Sequence, residues 1–360
     1  MGYLLEDVLL KKRILWIDIT RIVSIWFIIE LHACAFDLDK LIMWSPRYRE
    51  CYTWGLFGHF GVPMFVMLSG ALLLDHEPDI KKIYTKKIPK LVGAKLINML
   101  AYFAVSLAVC IYVSNLDMST VFYPVLHEDG ATYFLALLGG CYMLSPLVYT
   151  FCKNDKLERY FLILSIVFSM ILPLLGALPV VGDIFTYIHV QTRMSFVHGI
   201  LFYFVLGHYL LHHLDRVSKG TAFAGLIGAI ILCIVIVWNN TFNMPVEIQY
   251  ALMSTTYDDY MNLIAMIYAV AVFVFLATIF RDIKVNDRIE NLIHHMGRNV
   301  MAIYILHFPL LYGLQEAHIS PNVFKCYSLG VIVESSAIFI MLYLISLIWE
   351  RIPVLKRVIN

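Results

Sequence analysis

Apolar residues fall in runs of about 20, the length at which a helix rising 1.5 Å per residue crosses roughly 30 Å of hydrocarbon. Ten such runs recur, near residues 14–36, 52–74, 88–113, 131–152, 157–181, 194–211, 221–238, 259–280, 297–315 and 327–350. The pattern predicts an all-α integral membrane protein, a bundle of about ten transmembrane helices. Pro173 and Pro179 interrupt the fifth run, and His307 with Pro309 interrupts the ninth, so both are expected to bend. No internal repeat, low-complexity tract or long linker divides the chain. Residues 1–360 therefore read as a single transmembrane domain with no attached soluble domain.

Lysine and arginine set the expected orientation. Most of the 27 basic residues fall in alternate connecting segments: Lys11, Lys12 and Arg13; Lys81, Lys82, Lys86, Lys87 and Lys90; Lys153, Lys156 and Arg159; Arg216 and Lys219; Arg281, Lys284, Arg288 and Arg298; Arg351, Lys356 and Arg357. Those segments are expected to face the cytoplasm, with both termini. The opposite loops at 114–130 and 239–258 contain no lysine or arginine and carry Asp117, Glu128, Asp129, Glu247 and Asp258. Lys11 to Arg13 precede a run too long for a signal peptide, so the first helix is expected to remain in the mature protein.

Composition supports the membrane reading: 61% of residues are hydrophobic, 15% are charged, and mean hydropathy is +0.77. A soluble domain is nearer 45–50% apolar and about 25% charged. The net charge of +1 gives no reason to expect nucleic acid as a partner, and membrane lipid is the expected surroundings. Seven cysteines show no CxxC or paired metal spacing and read as small hydrophobes. No zinc-protease, nucleophile-elbow or phosphate-loop pattern appears, and no metal site is expected.

Ionisable residues inside the first run change the picture. Arg21 and His32 are eleven steps apart, about three helical turns, so they share a face while lying roughly 16 Å apart along the axis. Asp18 flanks that face. An arginine at bilayer depth costs about 2.5–3.5 kcal/mol on insertion scales and is tolerated where it meets a polar interior. A cation can hold an anion, and a histidine can take a proton at neutral pH. The bland alternative is that Arg21 pairs with Asp18 one turn back while His32 makes an interfacial hydrogen bond. Glu30 falls on the opposite face, with no role assigned.

In the second run, GHFGVPMFVMLSGALLL, Ser69 and Gly70 read either as close packing or as site residues, and His59 enters from the outer side. His307, beside Pro309, either lines a cavity or bonds a carbonyl that the proline frees. The lysines at 81, 82, 86, 87 and 90 form the densest basic patch; a phosphate-rich donor and anionic lipid headgroups would both be attracted to it.

WIDITRIVSIWFIIELH (Trp16 to His32), FGVPMFVMLSGALLL (Phe60 to Leu74), KKIYTKKIPKL (Lys81 to Leu91) and RNVMAIYILHFPLL (Arg298 to Leu311), in this order, resemble acyltransferase family 3 of bacterial integral-membrane acyltransferases. The resemblance is closest to its surface-polysaccharide O-acetyltransferase subgroup. It implies transfer of an acyl group, usually acetyl, from cytoplasmic acetyl-CoA or another acyl-CoA to a hydroxyl of a cell-envelope carbohydrate or glycolipid, in the inner membrane of a bacterium. It further implies His32 as base or covalent acyl carrier and Arg21 as the donor-positioning cation, with Asp18, His59, Ser69 and His307 in support. Lys81, Lys82, Lys86, Lys87 and Lys90 stand where the family often has arginines, and Thr132-Tyr133 where it often has His-x-Trp. A transporter or flippase for a glycolipid or small solute is the alternative class, although no symmetric pair of broken helices marks two halves.

Overall fold

The computed structural model describes residues 14–356 apart from 39, 44, 113–132, 179, 195–196, 198, 239–261 and 354. The acidic loops at 114–130 and 239–258, the basic Lys11, Lys12, Arg13 and Arg357, and Thr132 lie outside the described residues. The described chain is helical, without strands. In order, the helices are α1 (Leu15–Leu38), α2 (Pro46–Gly58), α3 (Gly61–Leu73), α4 (Ile80–Tyr112), α5 (Tyr133–Cys152), α6 (Asp155–Gly176), α7 (Gly182–Thr192), α8 (Leu201–His213), α9 (Lys219–Trp238), α10 (Leu263–Phe280), α11 (Asp287–Glu316) and α12 (Tyr327–Trp349).

Each of the ten apolar runs overlaps helix, but among the described residues eight helical segments are long and apolar enough to cross a membrane, counting α2 and α3 as one. Two runs differ. The run at 194–211 becomes α8, whose 13 residues span about 20 Å. The run at 297–315 is the second half of the 30-residue α11. That helix begins ten residues earlier because Asn286 caps it, its side chain accepting the Arg288 N–H, and Asp287 and Glu290 sit favourably in its first turn. The short α7, which apolar length does not predict, follows the Pro173 segment.

α1 is the central element, in contact with α2, α3, α10, α11 and α12. Glycines allow the closest approaches. A Cβ at Gly61 would meet the Ile28 side chain at 2.5 Å, and one at Gly58 would meet the Phe27 carbonyl oxygen at 2.7 Å, so the break between α2 and α3 lies directly on α1. Pro63, in the first turn of α3, cannot donate to the residue 59 carbonyl, which favours that break. α3 and α8 cross more tightly still. A Cβ at Gly70 would lie 1.8 Å from the Phe204 carbonyl oxygen, and one at Gly207 would lie 2.0 Å from that of Met67. Lipid gives little hydrophobic drive between helices, so such backbone-to-backbone packing carries association. Gly70 is thus a packing residue.

Inside α11, Pro309 cannot donate to the Ile305 carbonyl one turn earlier. Asn98 of α4 supplies the missing donor, its Nδ2 lying 2.7 Å from that oxygen. A leucine at 98 would leave the carbonyl unsatisfied in an apolar interior, at about 1–3 kcal/mol.

Gly207→Ala is expected to lower the detergent-solubilised melting temperature, since overpacking of this kind costs about 1–3 kcal/mol. Gly140→Ala, where a Cβ meets open space, should leave it unchanged. Thermal unfolding of the two purified variants against the parent checks the contrast.

Candidate active site

A cavity of about 710 Å³ opens between α1, α3, α4, α5 and α11. Its polar lining is Arg21, Ser69, Lys90, Tyr142, Arg298 and Tyr304; Phe65, Phe134 and Leu138 are among its apolar walls. The volume is that of a small-molecule site. Among the described residues, three cations and no carboxylate line it, a lining that favours negative charge.

Arg21 is held in place from one side. Its Nη1 donates to Asp18 Oδ1 at 3.2 Å, and the other carboxylate oxygen accepts from His294 Nδ1 at 2.7 Å. Asp18 is 1% exposed, and it fits there because Gly297 faces it: a Cβ at 297 would lie 2.5 Å from Oδ1. The pairing of Arg21 with Asp18 is therefore real, yet Arg21 still faces the cavity, so the two readings of this residue coexist.

The basic stretch divides. Lys90 lines the cavity. Lys87 places its Nζ 4.7 Å above the Tyr142 ring, beside the cavity wall. Lys81, Lys82 and Lys86 are exposed, and Lys82 pairs with Asp79 at 3.5 Å. A π-helical stretch, Ile83–Lys87, carries Lys86 and Lys87 and lies between Lys81 and Lys82 on one side and Lys90 on the other.

His32 is not among the lining residues. It is 3% exposed, with its ring 5.2 Å from that of His307 and 4.8 Å from that of Phe308. His307 in turn is 5.4 Å from Tyr304, which does line the cavity. A file of rings, Tyr304, His307 and His32, thus leads inward from the wall of the cavity that Arg21 also lines. His307 Nδ1 lies 2.6 Å from the Tyr304 carbonyl oxygen. A carbonyl can only accept, so the proton sits on Nδ1; in the neutral ring, Nε2 then carries a lone pair. That Nε2 is buried without a hydrogen-bond partner among the described residues. His59, 2% exposed at the break between α2 and α3, is within electrostatic reach of His32. Glu30 is fully buried, accepting from the Cys34 thiol at 3.3 Å.

Reading the sequence alone does not nominate Arg298, Tyr142, Tyr304 or His294. Arg298 opens a motif already singled out, and its charge beside the apolar run was the available signal. His294 is invisible because its segment looks like a polar loop. Just outside α12, burial pushes the Glu350 carboxyl up, but the Asn299 amide at 2.8 Å, His295 at 3.3 Å and the charge of Arg298 together hold it below the usual carboxylate range. That contact fastens the basic end of α11 to the end of α12.

A family model described as an acyltransferase domain matches residues 14–350. Neither the curated proteins nor the solved structures include a match to the chain.

Removing the Asp18 carboxylate strips both Arg21 and His294 of a buried acceptor. Asp18→Ala is expected to destabilise the protein by about 1–3 kcal/mol. Gly297→Val should mimic it by pushing the carboxylate away, while Asp18→Asn retains more stability; thermal unfolding in detergent checks the ranking.

Proposed function

The chain belongs to this acyltransferase family, and from that premise we propose that it is a multi-pass O-acyltransferase of a bacterial inner membrane. It moves an acyl group, most simply acetyl, from cytoplasmic acyl-CoA to a hydroxyl of a cell-envelope carbohydrate or glycolipid. The observation that carries the reading is the cationic cavity lined by Arg21, Lys90 and Arg298, whose chemistry fits the phosphates of a nucleotide donor. In this reading the whole chain is one catalytic domain, the basic segments and both termini face the cytoplasm, and the cavity opens on that side.

Arg21, steadied by Asp18, holds an anionic part of the donor, while Lys90 and Arg298 neutralise further charge. Lys87 sits at the cavity wall, and Lys81, Lys82 and Lys86 lie further out, where they attract the donor or anionic lipid over a longer range. The thioester end extends toward Tyr304. There His32, with His307 and His59 around it, takes the proton of the acceptor hydroxyl as oxygen attacks the thioester carbonyl; the carbon–sulfur bond breaks and CoA leaves as the thiol. His32 can alternatively take the acyl group itself and pass it on, a covalent version of the same transfer. Placing the base behind Tyr304 keeps bulk water from the thioester until the acceptor arrives.

His32→Ala is expected to lower acyl transfer by about 10²- to 10⁴-fold while leaving the protein folded in the membrane. Arg21→Ala should instead raise the KM for acyl-CoA, with Arg21→Lys intermediate because it loses the planar fork. Release of free CoA and incorporation of radiolabel from acetyl-CoA into envelope glycans measure both. Unchanged turnover in His32→Ala overturns the assignment. A chain that moves a glycolipid across the bilayer but neither binds acetyl-CoA nor releases CoA is a flippase.

A further inference from the structure

Away from the cavity, three chemically distinct donors meet in the interior. Cys152 ends α5, Glu158 lies in the first turn of α6, and His208 lies on α8. One ligand atom from each lies within 4.8 Å of the others, and Glu158 Oε1 is 2.7 Å from His208 Nδ1. The three are 4%, 2% and 7% exposed.

From this cluster we infer a structural site for a divalent transition-metal ion of the zinc class, held by Cys152 Sγ, a Glu158 carboxylate oxygen and a His208 ring nitrogen. Bond lengths near 2.0–2.3 Å place tetrahedral ligands roughly 3.4–3.6 Å apart, within small side-chain adjustments of the spacing here. Charge is the stronger argument. A thiolate, a carboxylate and a neutral imidazole sum to −2, which a dication neutralises, and a buried carboxylate otherwise carries its charge into a poorly solvated interior. On binding, the Cys152 thiol gives up its proton, and the proton shared between Glu158 and His208 is displaced from the ligating nitrogen. Soft thiolate with imidazole and carboxylate favours zinc over magnesium or calcium.

A route to the site is also present. The His212 ring lies 4.3 Å from that of His208 and is half exposed. Its Nε2 is 3.5 Å from Asp75 Oδ1, and the other oxygen of Asp75 is 3.4 Å from His76. Spacing along the chain has no signature for such a site, because the donors come from three helices and 50 residues separate Glu158 from His208. The metal would tie the end of α5 and the start of α6 to α8, and α8 is locked on α3 through Gly207. Those helices carry Tyr142 and Ser69 of the cavity wall.

The test uses the full-length protein in detergent, stripped with chelator and dialysed against zinc or cobalt. About one equivalent of zinc per chain is expected to remain. Cobalt should give a thiolate-to-metal charge-transfer band in the near ultraviolet, and zinc should raise the melting temperature of the stripped protein. Cys152→Ser should weaken zinc retention roughly tenfold or more, at least the loss that follows removal of a mere outer-shell partner. Cys326→Ser, at an exposed thiol, should retain the metal. If Cys152→Ser does not fold, the cobalt spectrum of the parent chain decides. A folded parent that shows no thiolate band and holds no more zinc than His208→Gln overturns the inference.

Discussion

A charged group inside a bilayer must find a counter-charge or a donor from its own protein, and α1 concentrates that demand. Within one helix it buries Asp18, Glu30, His32 and Asp37 and turns Arg21 toward a cavity. Each is met by a different neighbour. Asp18 is met by His294 of α11, Glu30 by the Cys34 thiol one turn on within α1 itself, and His32 by the His307 and Phe308 rings. Asp37 is met by the Asn322 N–H and the Tyr327 hydroxyl. A shift of α1 would leave several of these buried groups without partners at once, so the polar contacts fix its depth and rotation where apolar side chains alone would permit sliding. The glycine contacts of α2 and α3 then set how near the neighbours come.

The same logic explains what hydropathy could and could not reveal. Helices such as α9 and α10, apolar on every side, are legible from residue type alone, since burial in lipid and burial in protein ask for the same side chains. α11 is not, because its first three turns, Asp287 to Asn299, alternate polar and apolar residues and read as a loop; a cap at Asn286 and contacts to α1 and α12 make them helical. α8 misleads in the other direction. Its residues are apolar enough for a span, but 13 of them are helical, and their burial is against α3.

Part of the candidate site was legible for a related reason. Arg21 stands out because a cation in an apolar run is expensive, and that expense is visible in one dimension. Ser69 and Gly70, adjacent in sequence, could not be separated by the same argument. Helical geometry sends Ser69 to the cavity and Gly70 against the Phe204 carbonyl, one residue apart and nearly a third of a turn around. Lys90 could not be distinguished from Lys81 and Lys82 either, because the π-helical stretch between them, which also carries Lys86, rotates the register in a way composition does not encode. Tyr142 and Arg298 gain meaning only from α5 and α11 being brought to the same wall.

Under the roles proposed for Arg21 and His32, the depth difference between them narrows the donor. About 16 Å of helix separates them, and the rings of Tyr304 and His307 lead from the cavity wall to His32. A compact activated acyl group, such as an acyl phosphate, would carry its anion and its reactive carbonyl within a few ångströms and could not engage both ends. A donor with its phosphates at one end, its thioester at the other and a slender flexible arm between can keep its charge among Arg21, Lys90 and Arg298 while only the uncharged arm threads past aromatic rings. That arrangement avoids drawing a phosphate into the apolar half of the bundle, where its desolvation would cost far more than any contact there could return. On the proposed function, the separation of cation and histidine along one helix face is then a measure of the donor's length.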